Sequence, residues 1–319
     1  MSTFAFENQP IQAEPEETVL ETLLRNDVEI PNRCRAGACQ ACMLRSDHPV
    51  PKSSQLGIDE DLAERGVFLS CQAKADEVTS AERLGSEVFP RYAATLVQKS
   101  LVTDDVLILR LDVPGWQASP GRFIRLHHPD GVDRPYSLAA PAWLDASTVI
   151  LHVRIIPGGE MSQRLLTTPV GEQLEIEGPF GKCRYRSATK QEPILLIGSG
   201  TGLAPLYGII TDSLQQGHQG PISLHFGAAT SSRLYHRAEL DKLKQKYPNF
   251  NYSTYADAEV EPGDTEGSPL SGALQQHPNL DGYKVYLCGH PGLVKAAQKK
   301  CFLMGASLKD IAADAFVAA

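Results

Sequence analysis

The sequence lacks the features that mark several large protein classes. No stretch of eighteen apolar residues occurs, and the N-terminus MSTFAFENQP has neither a basic region nor a long apolar run, so we expect no membrane-spanning helix and no secretory signal. A basic excess is also missing: 30 Lys and Arg against 38 Asp and Glu give a net charge of −8, which argues against a nucleic-acid partner. We therefore expect a cytoplasmic globular protein, and its 319 residues leave room for two or three domains.

The chain changes character twice. Its first part holds a strand-like run, Ser2 to Phe6, a helical pattern, Thr18 to Arg25, and a polar segment, Thr79 to Pro90, that is typical of a linker. From Arg91 to about Ser187, short β-rich runs separated by turn residues predict a small antiparallel barrel. From Gln191 onward, apolar strands alternate with helical stretches, which predicts a parallel sheet with helices on both faces. The strands predicted there are PILLIG, ISLHFGA, FNYSTYA and KVYLCG, and the predicted helices lie near Pro205–Leu214, Leu234–Lys246, Pro269–Gln276 and Leu293–Met304.

Four of the seven cysteines form a tight pattern. Cys34, Cys39 and Cys42 have the spacing C-x4-C-x2-C, and Cys71 follows on a later element. This is the plant-type spacing for a 2Fe-2S cluster; a four-cysteine zinc site is the alternative, although zinc ribbons usually present two separate C-x2-C pairs. The first part of the chain accordingly resembles a plant-type ferredoxin, from which it departs at Gln40, where a glycine is common. Small residues let the loop wrap closely and aim amide N–H groups at the sulfurs: Ala36, Gly37, Ala38 and Ala41.

A tetrapeptide in the predicted barrel, Arg134-Pro135-Tyr136-Ser137, offers what a flavin needs. It supplies a cation for the pyrophosphate, an aromatic ring for the isoalloxazine and a hydroxyl for the polar edge of that ring, although a surface arginine and an ordinary strand tyrosine would look the same. A glycine turn then opens a short helix and makes an anion site. This region resembles the ferredoxin–NADP reductase superfamily, in which that turn receives the flavin pyrophosphate. The residues expected to contact FAD are Arg134, Tyr136, Ser137, Gly158, Gly159, Met161 and Ser162.

A second glycine turn follows the predicted strand PILLIG and precedes a helix opened by proline, an arrangement that aims backbone amides at a pyrophosphate. The form GxGxGxxP resembles the nicotinamide domain of the same superfamily. The resemblance places Cys288 and Gly289 beside the meeting point of nicotinamide and flavin, and Phe316, with Asp314 nearby, against the flavin. We therefore expect Cys288, Ser137 and Phe316 to be catalytic. The residues expected to bind the nucleotide through the turn are Gly198, Gly200, Thr201, Gly202 and Pro205.

The choice between NADH and NADPH depends on the loop FGAATSSRLY after the second strand of this region. The loop lacks the carboxylate with which NADH-preferring domains hold the ribose hydroxyls. Arg233 occupies roughly the place where many related reductases carry an aspartate, unless it is simply solvated, and Ser231 suits either nucleotide. However, the next strand lacks the serine–arginine pair of NADPH-dependent members, and most oxygenase reductases of this type use NADH. We expect NADH, with some tolerance of NADPH.

The three motifs follow one another in the order of the reductase components of bacterial oxygenase systems, which the whole chain resembles. The resemblance implies an α+β and α/β multidomain protein: a ferredoxin β-grasp domain (1–84), a six-stranded antiparallel β-barrel FAD domain (90–188) and a Rossmann-like parallel-sheet NAD(P) domain (189–319). It implies a monomer that takes hydride from NAD(P)H onto FAD and passes single electrons through the cluster to a protein acceptor, an oxygenase component. A reductase for a deoxysugar dehydratase or another acceptor, and a redox-sensing protein without turnover, remain as alternatives.

Overall fold

The computed structural model describes residues 2–32, 34–37, 39–85, 88–117, 120–141 and 143–316. It divides the chain into two units, the first built from the described residues up to Pro90 together with Phe180–Lys182, the second from Arg91–Pro179 and Cys183–Phe316. Within these described ranges, no helix is long and apolar enough to cross a membrane.

A five-stranded mixed sheet forms the first unit. Its strands are β1 (Ser2–Phe6), β2 (Gln9–Ala13), β3 (Met43–Arg45), β4 (Val67–Leu69) and β5 (Ser80–Arg83), in the order β2-β1-β5-β3-β4. The β1–β2 hairpin turns at Glu7 and Asn8, which both have positive φ, as a type I′ hairpin turn requires. Two short helices complete the unit, α1 (Val19–Arg25) and α2 (Glu60–Glu64).

The helix α1 begins with a capping box. The Thr18 hydroxyl accepts from the N–H of Glu21, and the Glu21 carboxylate accepts from the N–H of Thr18. The predicted helix Thr18–Arg25 and the predicted strand Ser2–Phe6 are confirmed. The predicted linker is wrong over Ser80–Arg83, because this stretch is β5 and pairs parallel with β1 and antiparallel with β3.

The second unit starts with a six-stranded antiparallel barrel, as predicted. The strands are β6 (Arg91–Leu101), β7 (Val106–Asp112), β8 (Phe123–His127), β9 (Asp133–Ser137), β10 (Thr148–Arg154) and β11 (Gln173–Phe180), in the order β10-β7-β6-β11-β8-β9. A bridge between Leu138 and Leu151 joins the end of β9 to β10, so the sheet closes on itself. The helix α3 (Glu160–Thr167) lies between β10 and β11. Leucines at positions 107, 109 and 111 of β7 point into the core, as alternation requires.

The rest of the second unit is the predicted parallel sheet between helices. Its strands are β12 (Ile194–Ser199), β13 (Ile222–Thr230), β14 (Phe250–Ala258), β15 (Thr265–Glu266), β16 (Lys284–Gly289) and β17 (Ile311–Ala315), in the order β15-β14-β13-β12-β16-β17. Its helices are α4 (Leu203–Gln215), α5 (Arg237–Lys246), α6 (Pro269–Gln276) and α7 (Pro291–Leu303). Ile194 and Leu196 of β12 pack into one core, and Leu195 and Ile197 into another, because both faces of this sheet are covered.

Four details of this part differ from the prediction. The helix predicted from Leu293 is α7, which begins at Pro291. The helix α4 begins at Leu203, so Pro205 is its third residue rather than its first. The helix predicted from Leu234 begins at Arg237, since Ser231–Arg233 forms a 3-10 turn before it. The strands β15 and β17 were not predicted.

The strand order determines where a ligand fits. In open sheets of this kind, ligands bind at the carboxyl ends of the strands, where the order reverses. Here the chain runs outward from β12 to β13 and β14, and then returns to place β16 on the other side of β12. The glycine turn after β12 and the Cys288–Gly289 end of β16 both lie at this point.

Candidate functional site

Cys42 and Cys71 are brought together by the strands beside them. Cys42 directly precedes β3 and Cys71 follows β4, and the two strands pair antiparallel. The N–H and the hydroxyl of Ser70 both donate to the carbonyl oxygen of Cys42, at 3.1 and 2.8 Å. The Cys42 thiol donates to Cys71, which lowers the pKa of Cys71 to about 6 and raises that of Cys42. The two sulfurs of this pair therefore lie within hydrogen-bonding distance of each other, as two ligands of one metal centre must lie close together.

Cys34 and Cys39 form a second pair on the loop before β3. The N–H groups of Ala36 and Cys39 donate to Cys34 Sγ at 3.4 and 3.3 Å, as expected for a loop that wraps around sulfur. Contact with the Cys34 thiol raises the pKa of Cys39. Gly37 has φ +78°, a conformation that favours glycine. Ala38, another small residue of the predicted wrap, lies outside the described residues.

The two pairs fit a 2Fe-2S cluster. Among the residues that the structure describes, no group of three or more His, Cys, Asp or Glu side chains is arranged to hold a metal ion as it stands. The donor set nevertheless consists of four cysteines from two adjacent loops, with N–H groups directed at sulfur, which is what a cluster held by four thiolates requires. Two pairs would provide two ligands for each of two irons.

Gln40 stands where a glycine is common in plant-type ferredoxins, and its side chain has a structural role. Its φ is +54°, so glycine is the residue that this backbone favours. The glutamine is buried, and its Nε2 donates to the carbonyl oxygen of Gly57 at 2.7 Å. The side chain therefore ties the cysteine loop to the segment around Gly57, a contact that a glycine would lack.

The flavin tetrapeptide lies on β9, where Arg134 and Tyr136 share one face of the strand and Ser137 faces the other way. The Arg134 guanidinium lies 3.6 Å from the carboxylate of Glu160, the first residue of α3. The structure thus brings together the tetrapeptide and the glycine turn that are expected to share a pyrophosphate.

The glycine turn before α3 is built by its own residues. A Cβ at Gly159 would lie 2.8 Å from Ser162 Oγ, whereas one at Gly158, with φ +71°, would meet nothing within 4 Å. The Ser162 hydroxyl accepts from the N–H of Ile156 at 3.1 Å, and Met161 is buried in the barrel core. The side chains of Met161 and Ser162 therefore support the turn, and the first N–H groups of α3 are left as donors for an anion.

Ser137 connects the barrel to the parallel sheet. Its hydroxyl donates to Asp314 Oδ2 at 2.9 Å, and Asp314 of β17 lies beside Cys288 of β16. Desolvation raises the pKa of Asp314 to about 6, and it raises the pKa of the fully buried Cys288 thiol well above its ordinary value, helped by the Cys183 thiol at 3.7 Å. Residues from the flavin and nicotinamide motifs therefore meet at one place.

Phe316 lies at the same edge of the sheet. Its N–H donates to the carbonyl oxygen of Gly289 at 2.9 Å, directly after β17. The short strand β17, which sequence patterning missed, therefore positions both Asp314 and Phe316 next to the end of β16.

The glycines of the nucleotide turn have different roles. A Cβ at Gly202 would lie 2.4 Å from the carbonyl oxygen of Cys288, one at Gly289 would lie 2.5 Å from that of Ser199, and one at Gly198 would lie 2.6 Å from Leu206 Cδ1. Gly202 and Gly289 thus permit close packing of the two strand ends, and Gly198 permits α4 to pack closely against β12. Gly200 has φ +54° and open space where a Cβ would stand, so this is the position that leaves room for a phosphate. Thr201 and Pro205 are buried.

Arg233 is engaged by two carboxylates of the barrel. Its guanidinium lies 3.1 Å from Asp104 and 3.6 Å from Asp105, both in the turn between β6 and β7. The buried Ser231 hydroxyl accepts from the N–H of Glu261 at 3.0 Å, so it supports the loop. Sequence reasoning missed both aspartates, because nothing in the chain links a β6–β7 turn to a loop more than a hundred residues later.

A partly buried ion pair fixes the segment after this loop, and it too was not predicted. Arg237 donates to both carboxylate oxygens of Asp264, at 2.8 and 2.6 Å, and Thr254 Oγ1 donates at 2.6 Å. Although burial opposes it, the Arg237 contact lowers the pKa of Asp264 to about 2.

Comparison with protein families divides the chain in the same order as its motifs. Residues 5–76 match a 2Fe-2S iron-sulfur cluster binding domain, residues 93–185 an oxidoreductase FAD-binding domain, and residues 196–299 an oxidoreductase NAD-binding domain.

Individual proteins resemble the chain over nearly its whole length. Reductase component 1 of terephthalate 1,2-dioxygenase from Comamonas sp. is 31% identical over 313 residues, covering 95% of this chain and 93% of the relative. The reductase subunit of an aromatic O-demethylase from Amycolatopsis sp. is 31% identical over 308 residues, covering 91% and 90%. The crystal structure of a cytochrome P450 reductase from Amycolatopsis superposes with a TM-score of 0.71 at 25% identity over 99% of both chains.

Proposed function

Because the chain belongs to the family of reductases that join a 2Fe-2S domain to FAD- and NAD-binding oxidoreductase domains, we propose that it delivers electrons from NAD(P)H to the oxygenase component of a multicomponent mono- or dioxygenase. The protein is an NAD(P)H-dependent flavin iron-sulfur oxidoreductase. The oxygenase acceptor is supported by the relatives, which are named as reductase components of a terephthalate dioxygenase and of an aromatic O-demethylase.

The single observation that carries the proposal is the hydrogen bond from Ser137 to Asp314 beside Cys288. It joins the tetrapeptide expected to hold the flavin to the strand ends expected to hold the nicotinamide. A protein that bound the two cofactors for separate purposes would not need these residues in contact.

When bound, the nicotinamide supplies two electrons as hydride, the flavin accepts the pair, and the cluster accepts electrons one at a time. The residues of the chain prepare the site. The Ser137 hydroxyl donates a hydrogen bond to the Asp314 carboxylate, and its oxygen keeps lone pairs as acceptors. The raised pKa of Cys288 keeps this buried thiol protonated and neutral, so no additional charge stands where hydride would be transferred.

We also propose which residues hold each cofactor. We assign the cluster to the four cysteines and the FAD to Arg134, Tyr136, Ser137 and the turn Gly158–Ser162, with domain limits at 1–84, 90–188 and 189–319. First-turn N–H groups of α3 beside Arg134 support the flavin assignment. The net charge of −8 supports action without nucleic acid, and we propose a cytoplasmic monomer, which light scattering of the purified protein tests.

NADH is the proposed electron donor. Arg233 is held by two carboxylates, which supports this choice because an engaged guanidinium is poorly placed to receive a 2′-phosphate. The test is kcat/KM for NADH and NADPH in the wild type and in Arg233→Asp. A wild-type preference for NADPH that collapses in the variant would overturn the choice.

Turnover tests the function itself. Purified protein loaded with its cofactors and supplied with NADH is expected to reduce ferricyanide and cytochrome c continuously. A redox sensor would consume about one equivalent and stop. Adding a candidate oxygenase component should then couple NADH oxidation to product formation; coupling to a deoxysugar dehydratase instead would refute the oxygenase acceptor.

A further inference from the structure

The barrel contributes a carboxylate to the loop where the adenosine ribose of a nicotinamide nucleotide is expected. Ser231–Arg233 follows β13 at its carboxyl end, and β13 is the neighbour of β12, whose end carries the glycine turn. In dinucleotide-binding sheets, an acidic residue at this second strand accepts from the ribose hydroxyls. The loop itself has no acid, but Asp104 reaches Arg233 from the β6–β7 turn at 3.1 Å.

The two aspartates of this turn have different surroundings. The Asp105 side chain is 17% exposed, accepts from Thr103 Oγ1 at 3.1 Å and lies 3.5 Å from Arg154. Asp105 is therefore held in place by its own partners, and its carboxylate lies 3.6 Å from the Arg233 guanidinium. The Asp104 side chain is 67% exposed, so it is the carboxylate that an incoming ligand meets.

The charges around Arg233 disfavour a phosphate. Asp104, Asp105 and Glu259 all act on the guanidinium and raise the pKa of Arg233, the contact with Asp104 most strongly. Arg154 is the other cation of this group. A 2′-phosphate, with a charge close to −2, would have to displace Asp104 and remain beside the other carboxylates. Two ribose hydroxyls can instead donate to Asp104 without breaking its ion pair with Arg233.

We propose that Asp104 is a specificity-determining residue, supplied by the barrel, that occupies Arg233, accepts from the ribose hydroxyls and excludes a 2′-phosphate. The inference rests on the proposed use of a nicotinamide nucleotide. It places the residue that selects NADH over NADPH in the barrel, outside the nucleotide domain.

The test compares two probes that differ at the 2′ position, 5′-AMP and adenosine 2′,5′-bisphosphate, by calorimetry on the full-length, cofactor-loaded protein. Asp104→Asn keeps the size of the side chain and removes its charge. Asp112→Asn, at the other end of β7 and bonded to Ser147, removes the same charge away from Arg233. In Asp104→Asn we expect the affinity ratio to shift toward the bisphosphate on the order of tenfold, with kcat/KM for NADPH over NADH moving in parallel. Asp112→Asn should leave both ratios unchanged.

Three outcomes would overturn the proposal: equal binding of the two probes by the wild type, an unchanged ratio in Asp104→Asn, or the same shift in Asp112→Asn, which would indicate a general charge effect. Failure of the proposed function is separate from all three. In that case neither nucleotide would support acceptor reduction, while the binding ratios could still be measured.

Discussion

Arg134→Ala is expected to weaken the binding of FAD. The Arg134 side chain is 27% exposed and lies beside the N-terminus of α3, where Glu160 is its partner at 3.6 Å. Loss of a charge-assisted contact to a phosphate costs about 1.5–3 kcal/mol, which raises Kd about 10- to 150-fold. The upper half of that range applies, because the substitution also removes one of the two cations that pair with the Glu160 carboxylate next to the phosphate. Arg134→Lys keeps the charge and should lose less.

The measurement is the quenching of flavin fluorescence when FAD is added back to protein from which it has been removed. Arg164→Ala is the matched control, since Arg164 lies on α3, as Glu160 does, and pairs with Asp130 and also with Glu160. Its Kd should change little. Unchanged affinity in Arg134→Ala, or an equal loss in the control, would show that the tetrapeptide does not hold the pyrophosphate.

Three further predictions concern the metal and the dependence on pH. Chemical analysis should find two irons and two acid-labile sulfides per chain; one zinc without sulfide would contradict the cluster. Asp264→Ala removes the charge-assisted hydrogen bonds from Arg237 and should lower the free energy of unfolding by about 2–3 kcal/mol near neutral pH. Because the folded pKa of Asp264 is lowered to about 2, the difference from wild type in denaturant titrations should persist above about pH 4 and shrink as the pH falls toward 2. Asp314 has a raised folded pKa of about 6, so its ionisation opposes folding. As the pH rises from 4 to 6, the melting temperature should therefore fall less in Asp314→Asn than in wild type. An equal dependence of the melting temperature on pH in the two proteins would contradict this prediction.

The elements with strong local signals were predicted well. Thr18 and Glu21 form a capping box that the sequence displays. Ser268 caps α6, whose first residue is a proline, and the helix predicted near Pro269–Gln276 is found there. The strand β12 is a continuous apolar run because it is buried on both faces. In each case the neighbouring residues determine the structure.

The elements that were missed depend on distant partners. The strand β5 was interpreted as a linker because Ser80–Arg83 is short and polar, but pairing with β1 and β3 makes it a strand, and Arg83 binds the Glu7 carboxylate at 2.8 Å. The strand β17 contains three alanines and an aspartate, a composition with little strand preference of its own.

The candidate site likewise combines local motifs, which were predicted, with contacts between distant residues, which were not. The cysteine spacing and both glycine turns are local, and the sequence displays them. The contact between Ser137 and Asp314 spans 177 positions, and that between Asp104 and Arg233 spans 129. Such contacts exist only because the barrel and the parallel sheet pack in one unit, and a single sequence carries no signal for them.

The most direct test of the electron route is Cys71→Ser, compared with Cys301→Ala, a buried cysteine of α7 outside the cluster loops. Both variants are supplied with NADH and assayed with ferricyanide, which accepts electrons from the flavin, and with cytochrome c. If electrons leave through the cluster, Cys71→Ser loses iron and most cytochrome c reduction but keeps ferricyanide reduction, while Cys301→Ala keeps all three. Full cytochrome c reduction by an iron-depleted Cys71→Ser protein would contradict the account.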